Sequence, residues 1–310
     1  MKPQRVKNPA IPGTTQDRTG TAGIVRRAVA EIRRRWSGLS KDVLAVFDRI
    51  PVYEVNDVSM ARVMYGLTPA EMAATSYALE EAFFRWLEVG RDENSIAWWS
   101  FTSEAQQLGA AQSVSNLINL SQVYAAARSL ADVVYSEPYR NRAAMAQVMD
   151  YEHFTGLSET SRSTISQIIG KGVIDGKNPK VVRREIQKAL DVSRSKAEFY
   201  AQTATQEALR SARAAEADWV TENIGLNIGL LWTSALLPTT RQTHASRNGK
   251  VYTTDEVRAF YERDGNRYRC HCAQTECLLD AENKPILSQS LKDAMVKERA
   301  DWERSVASSA

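Results

Sequence analysis

From Val25 the apolar positions fall at Val25, Val29, Ile32, Trp36, Leu39, Val43, Val46 and Ile50, in alternating steps of four and three. A stripe of that spacing kept for over three heptads predicts one long helix packed on another along a narrow seam, ended by Pro51. Ser37 and Gly38 interrupt it and could kink it, Gly costing roughly 1 kcal/mol relative to Ala inside a helix. The next helix announces its start: Thr68 is an N-cap, Pro69 the first helical residue, Glu71 the third, and Leu67 and Met72 have the spacing of a hydrophobic staple. It should run to about Glu88, before Gly90. Ala97 to Phe101 then form an aromatic cluster expected to pack inside the protein, with a partner contact as the alternative.

Residues 105–147 predict two helices with a break near Ser136-Glu137-Pro138. Ser158-Glu159-Thr160-Ser161 predicts the start of another, ending about Gly170. Asn178-Pro179 starts a helix to about Leu190, and Ser193 caps a last long one that stops at Asn223-Ile224-Gly225. There the period changes from 3.6 to 2. Leu226, Ile228, Leu230 and Trp232 alternate with Asn227, Gly229, Leu231 and Thr233, as in a half-buried strand. A second strand is expected at Lys250–Thr253 after the turn Arg247-Asn248-Gly249, then a short helix to about Tyr261 and a charged helix from Leu287 to Arg304. The fold class is therefore α+β, a predominantly helical, elongated body with a small C-terminal β-containing module. The domain limits are a flexible basic arm at 1–22, the helical body at 23–223, the strand-containing module at 224–283 and a C-terminal helix and tail at 284–310.

Composition changes this picture in two places. With 43% hydrophobic and 25% charged residues among 310 the chain lies in the ordinary soluble range, with no apolar run of membrane-spanning length and no signal-peptide pattern at its start. The net charge of +3 conceals an asymmetry: up to Lys41 there are ten basic residues against Asp17 and Glu31 only. Residues 1–22 carry too little apolar surface to offset ordering, so they are expected to stay flexible. Arg26, Arg27, Arg33, Arg34 and Arg35 form either a solvated helix face or a contact for nucleic acid.

All three cysteines and two of the three histidines lie between Trp232 and Cys277. His153 stands alone and is expected to be a packed or solvated residue. Crowded into eight positions, the cysteines are poorly placed for a disulfide framework and point to metal ligation or free thiols in a reducing compartment. His244, Cys270, Cys272 and Cys277 could place one nitrogen and three sulfurs around a structural zinc, although C-x-C and C-x4-C are not strong zinc spacings. Alternatively Thr240, Arg241 and His244 form a hydrogen-bonded turn network while Cys270 and Cys272 pack as small apolar residues. A third reading is a cysteine nucleophile at Cys270 or Cys272 with His244 and an acid, Asp255 or Glu276.

Gly176-Lys177-Asn178-Pro179, then a long helix with Ala201-Gln202-Thr203-Ala204-Thr205-Gln206-Glu207, then Trp232, Thr240, Arg241, His244, Gly249, Cys270 and Cys272 in that order, resembles the phage head-morphogenesis family, minor head proteins similar to the F protein of phage Mu. The resemblance covers roughly residues 155–280. It departs from the family's usual pattern at Gln202-Thr203-Ala204, where an Arg-Thr-Glu type sequence is common, and at His271, where C-R-C is common. The resemblance implies a virion component in few copies, not an enzyme, located inside the head near the portal, and in the host cytoplasm during assembly. It implies the portal protein, capsid or scaffold proteins and double-stranded DNA as partners, and a role in procapsid assembly and in genome packaging, retention or ejection. The alternatives of other classes are a zinc-stabilised nucleic-acid-binding protein outside any virion and a cysteine-dependent enzyme.

Overall fold

A computed structural model of the chain describes residues 6–54, 63–87 and 99–308. Among them the elements run α1 (Ala22–Phe47), β1 (Val52–Glu54), β2 (Val63–Tyr65), α2 (Pro69–Leu87), α3 (Trp99–Leu120), α4 (Gln122–Ala127), α5 (Leu130–Val134), α6 (Glu137–Ile174), α7 (Pro179–Ile224), β3 (Ile228–Thr233), α8 (Gln242–Ala245), β4 (Val251–Tyr252), α9 (Thr254–Glu262), β5 (Ala273–Leu278) and α10 (Gln289–Ala307). The expected mostly helical α+β class is the one adopted. Two packed units divide it, and neither is continuous in sequence: residues 1–26, 101–147 and 202–310 form one, residues 27–100 and 148–201 the other.

In the second unit the α1 seam buries Ile32, Trp36, Leu39 and Val43 against Leu79 and Phe83 of α2, Phe154 and Ile165 of α6, and Val182 and Ile186 of α7. Gly38 does not break α1. A Cβ there would fall 2.3 Å from the Trp86 ring, so the glycine admits an indole onto the helix. Thr68 and Glu71 form the expected reciprocal cap, Thr68 N donating to Glu71 Oε2 at 2.7 Å and Glu71 N to Thr68 Oγ1 at 3.3 Å. Met72, however, is exposed and does not complete a staple. The expected helix end at Glu88 and the cluster residues Ala97 and Trp98 lie outside the described residues, as does the side chain of Trp99. The three-residue strands β1 and β2 pair antiparallel, Val52 opposite Tyr65; they are too short to leave a periodic signal.

Two expected helix starts are interior positions. Ser161 lies within α6 and Ser193 within α7, both buried. Ser161 Oγ donates to Leu157 O at 2.6 Å, which leaves Ser193 Oγ to donate to Ser161 at 2.7 Å and to accept from Trp36 Nε1 at 3.1 Å. A serine hydroxyl favours a cap when it has no better partner. Here a three-donor relay supplies one, and α6 and α7 run uninterrupted. His153 is packed, its ring stacked on Tyr200 at 3.6 Å.

In the first unit β3 is the centre of a three-stranded antiparallel sheet, order β4-β3-β5. It was expected to be half-buried, but neighbours on both edges and packing on both faces bury it from Gly229 to Thr233. Leu230 and Trp232 face one cluster with Val257, Phe260, Tyr261, Cys270 and Cys272; Leu231 faces another with Cys277, Leu287 and Met295. β5 was not expected, because Ala-Gln-Thr-Glu-Cys-Leu has no apolar alternation. The segment before Glu137 is not one helix but three, α3 to α5, restarted by Ser121 and Ser129, whose hydroxyls accept from Tyr124 N and Asp132 N. Gly109 brings α3 against α7, since a Cβ would meet Leu209 O at 2.5 Å.

The flexible arm is corrected for residues 6–21. Ala10 N donates to Asn116 Oδ1 at 2.7 Å, Asn8 and Ser288 exchange hydrogen bonds of 2.8 and 2.9 Å, and Arg18 reaches Ser234 O at 3.3 Å and Glu298 at 2.7 Å. Ile11 packs on the Cys277 cluster. Paired polar groups, rather than apolar area, order this segment, which a hydropathy argument does not register.

Candidate metal centre

The turn after β3 delivers His244. Leu237 N donates to Thr240 Oγ1 at 2.8 Å and Thr240 N to Leu237 O at 2.9 Å, closing a tight turn that leads into the single turn of α8. Gly249, at φ +80°, ends this segment with its N–H on Trp232 O at 2.9 Å. From the other side the loop after α9 carries Cys270 and Cys272 up to β5. Arg241 pins that loop by donating to Asn266 O at 3.2 Å and Tyr268 O at 2.9 Å. Trp232, fully buried, is the floor: its ring lies 5.1 Å from Phe260, 5.4 Å from Tyr261 and 6.1 Å from His244.

His244, Cys270 and Cys272 converge there. His244 Nδ1 lies 3.3 Å from Cys270 Sγ and 3.8 Å from Cys272 Sγ, and all three residues are buried. Two groups face His244 Nε2: Arg241 Nη1, at 3.3 Å, and Asn266. The Asn266 Nδ2 donates to Phe260 O at 3.0 Å, so its Oδ1 faces His244 Nε2, at 3.3 Å. The Asn266 oxygen favours a proton on Nε2 and the Arg241 guanidinium, a donor only, opposes it; in either tautomer Nδ1 is the ring nitrogen that faces the sulfurs. Tyr261 is oriented likewise: Gln274 Nε2 donates to its hydroxyl at 2.9 Å, leaving the O–H to point at Cys270 Sγ, 3.3 Å away. Burial would raise the Cys270 thiol, yet hydrogen bonds from Cys272 and His244 and the Arg210 charge hold it well below the ordinary range. Its hydrogen bond with Cys270, then burial, pushes the Cys272 thiol well up.

Cys277 does not belong to this set. It points from β5 into the other face of the sheet, among Leu231, Leu287 and Met295, and burial pushes its thiol up to about 12. The structure thus reduces the expected four donors to three. Neither candidate acid joins them either. The Asp255 side chain is 92% exposed and pairs with Arg258. Glu276 is fully buried, but Arg213 Nη2 at 2.7 Å, Ser113 Oγ at 2.7 Å and Asn116 Nδ2 at 2.9 Å occupy its carboxylate.

The expected nucleic-acid arginines divide. Arg26, Arg27 and Arg33 are exposed, Arg33 holding Glu198 at 2.9 Å. Arg34 is exposed and bonds Glu31 with both its Nε and Nη2. Arg35 is buried and bonds Glu31 at 2.7 Å, so it faces the interior and not a phosphate backbone. Sequence reasoning missed Asn266, Tyr261 and Gln274; a polar residue that orients a ligand has no spacing to find it by.

Residues 163–275 match the family described as Phage Mu protein F like protein. The chain is similar to that family over this segment, about a third of its length. The segment contains His244, Cys270 and Cys272 and stops short of Cys277. No curated protein and no solved structure matches the chain. The two departures of the F-like segment from the usual pattern touch each other: Gln202 Nε2 lies 3.0 Å from His271 Nε2, and Gln206 Nε2 lies 3.2 Å from His271 Nδ1. His271 is therefore held by α7 and is not one of the converging donors. No helix among the described residues is long and apolar enough to cross a membrane.

Proposed function

We propose that the protein is a minor head protein of a tailed phage, built into the head near the portal and acting in procapsid assembly and in genome packaging, retention or ejection. The observation that carries this reading is the F-like match over residues 163–275, which ties the chain to phage head morphogenesis. In this reading it catalyses no reaction. The portal protein and capsid or scaffold proteins are its protein partners, and assembly brings it to them in the host cytoplasm. His244, Cys270 and Cys272 serve as a clip within the module rather than as a reaction centre, which agrees with their burial and with the engagement of Glu276 elsewhere.

Contact with double-stranded DNA in this reading is sequence-independent and rests on Arg26, Arg27, Arg33 and Arg34, the exposed members of the basic stretch. Each phosphate neutralised releases counterions, so affinity falls steeply with salt. The deciding experiment is mass spectrometry of purified virions and procapsids with a portal pull-down. Presence in particles and retention on portal are expected; absence from both would end the head-protein reading.

A further inference from the structure

We infer that His244, Cys270 and Cys272 bind one divalent metal ion of the zinc class, through His244 Nδ1 and the two sulfurs. The inference stands on these side chains and does not depend on the head-protein reading.

Distance comes first. Tetrahedral zinc, with Zn–S near 2.3 Å and Zn–N near 2.0 Å, fixes the N···S edge at about 3.6 Å. The two edges here, 3.3 and 3.8 Å, bracket that value, and all three donor atoms lie within 4.8 Å of one another. A thiol hydrogen-bonded to an imidazole needs one sulfur on the nitrogen lone pair; two sulfurs directed at one lone pair are the arrangement of ligands around a shared ion.

The surroundings have the form of a ligand shell. Metal-bound histidines characteristically have an oxygen acceptor at their second nitrogen, and Asn266 Oδ1, its amide fixed by Phe260 O, lies 3.3 Å from His244 Nε2, which Arg241 Nη1 also approaches. The Tyr261 hydroxyl is oriented to donate to Cys270 Sγ, as a thiolate requires. Three guanidiniums flank the cluster: Arg210 lies 4.2 Å over the Tyr261 ring and donates to Cys270 O, Arg247 lies 3.9 Å over the Phe260 ring, and Arg241 Nη1 lies 3.3 Å from His244 Nε2. Soft sulfur with imidazole favours zinc over magnesium or calcium. The three protein donors leave one coordination position for an oxygen. Binding converts both thiols to thiolates, and their protons pass to solvent. The ion would fasten α8 to the loop before β5, across 26 and 28 residues of chain.

The full chain, purified without chelator from zinc-supplemented culture under reducing conditions, should hold about one equivalent of zinc by mass spectrometry of the acid digest. Metal-free protein given cobalt(II) should develop the sulfur-to-cobalt charge-transfer band and the intense visible bands of a four-coordinate site. Cys272→Ser should lower bound zinc at least tenfold, whereas Cys277→Ala should keep it. Zinc below about a tenth of an equivalent with no cobalt charge-transfer band would overturn the inference. Zinc unaffected by Cys272→Ser, or lost equally in Cys277→Ala, would also overturn it. If Cys272→Ser does not fold, the cobalt spectrum of the unaltered chain decides. Absence of the protein from virions would leave all these outcomes unchanged.

Discussion

Asn266 Oδ1 and His244 Nε2 lie 3.3 Å apart, and the Phe260 carbonyl prevents the amide from turning over. Arg241 Nη1 lies equally close to Nε2, and the opposite nitrogen, Nδ1, faces the cysteines. Asn266 and Arg241 pull the ring in opposite directions, so nitrogen-15 correlation spectra of the metal-free protein should show Asn266→Ala shifting His244 toward the Nδ1–H tautomer. The same substitution should weaken zinc binding roughly 10- to 100-fold, measured by competition with a chromogenic chelator. An unchanged affinity would show that Asn266 does not orient the ring.

Cys277 should behave as an apolar residue. Its thiol, raised by burial to about 12, is protonated at neutral pH and closed to alkylating reagents until the protein unfolds. Mass mapping after iodoacetamide treatment of native and urea-unfolded protein should find it modified only in the second. Cys277→Ala should cost about 1 kcal/mol in urea denaturation, since little volume is lost; Cys277→Asp should prevent folding.

Arg213 and Glu276 make an ion pair almost wholly removed from water, at 2.7 Å. Arg213→Met strands a buried carboxylate and should destabilise by about 3 to 5 kcal/mol. Adding Glu276→Gln should recover part of that loss, because the amide no longer carries the charge. The double-mutant cycle from denaturant unfolding checks this, and strictly additive losses would contradict the coupling.

Glu31 predicts an acid limb to stability. Hydrogen bonds from Arg34, opposed by burial and reinforced by hydrogen bonds from Arg35 and by both charges, lower its carboxyl from 4.5 to about 2. A group depressed on folding contributes fully above its unfolded value and loses that contribution as pH falls through the folded one. Stability should therefore decline between about pH 5 and about pH 2, and Glu31→Gln should flatten that decline in urea midpoints across the same range. Arg35→Met should lower the midpoint at neutral pH without changing DNA affinity, whereas Arg26→Gln with Arg33→Gln should weaken DNA binding and reduce its salt slope.

The parts of the fold legible in the sequence were those written in local chemistry. The α1 stripe, the Thr68 cap, the Asn178-Pro179 start and the change of period before Trp232 each depend on residues a few positions apart, and each is where expected. Ser161, Ser193 and residues 6–21 were misread for the opposite reason. Besides local bonds such as Ser161 to Leu157 O, each has partners 32 to 280 residues away, and nothing local records those. In the candidate centre, ligand-type side chains singled out His244, Cys270 and Cys272. Separating Cys277 from them required knowing which face of β5 it occupies, and β5 has too polar a sequence to be recognised as a strand.

The docking of residues 6–21 also bears on how the protein is made. Asn8 bonds to Ser288 and Arg18 to Glu298, each pair 280 residues apart. Residues 6–21 cannot reach their place until residues 288–298 have been made. Until α10 is made, Asn8 and Arg18 lack the partners that seat this segment on the module.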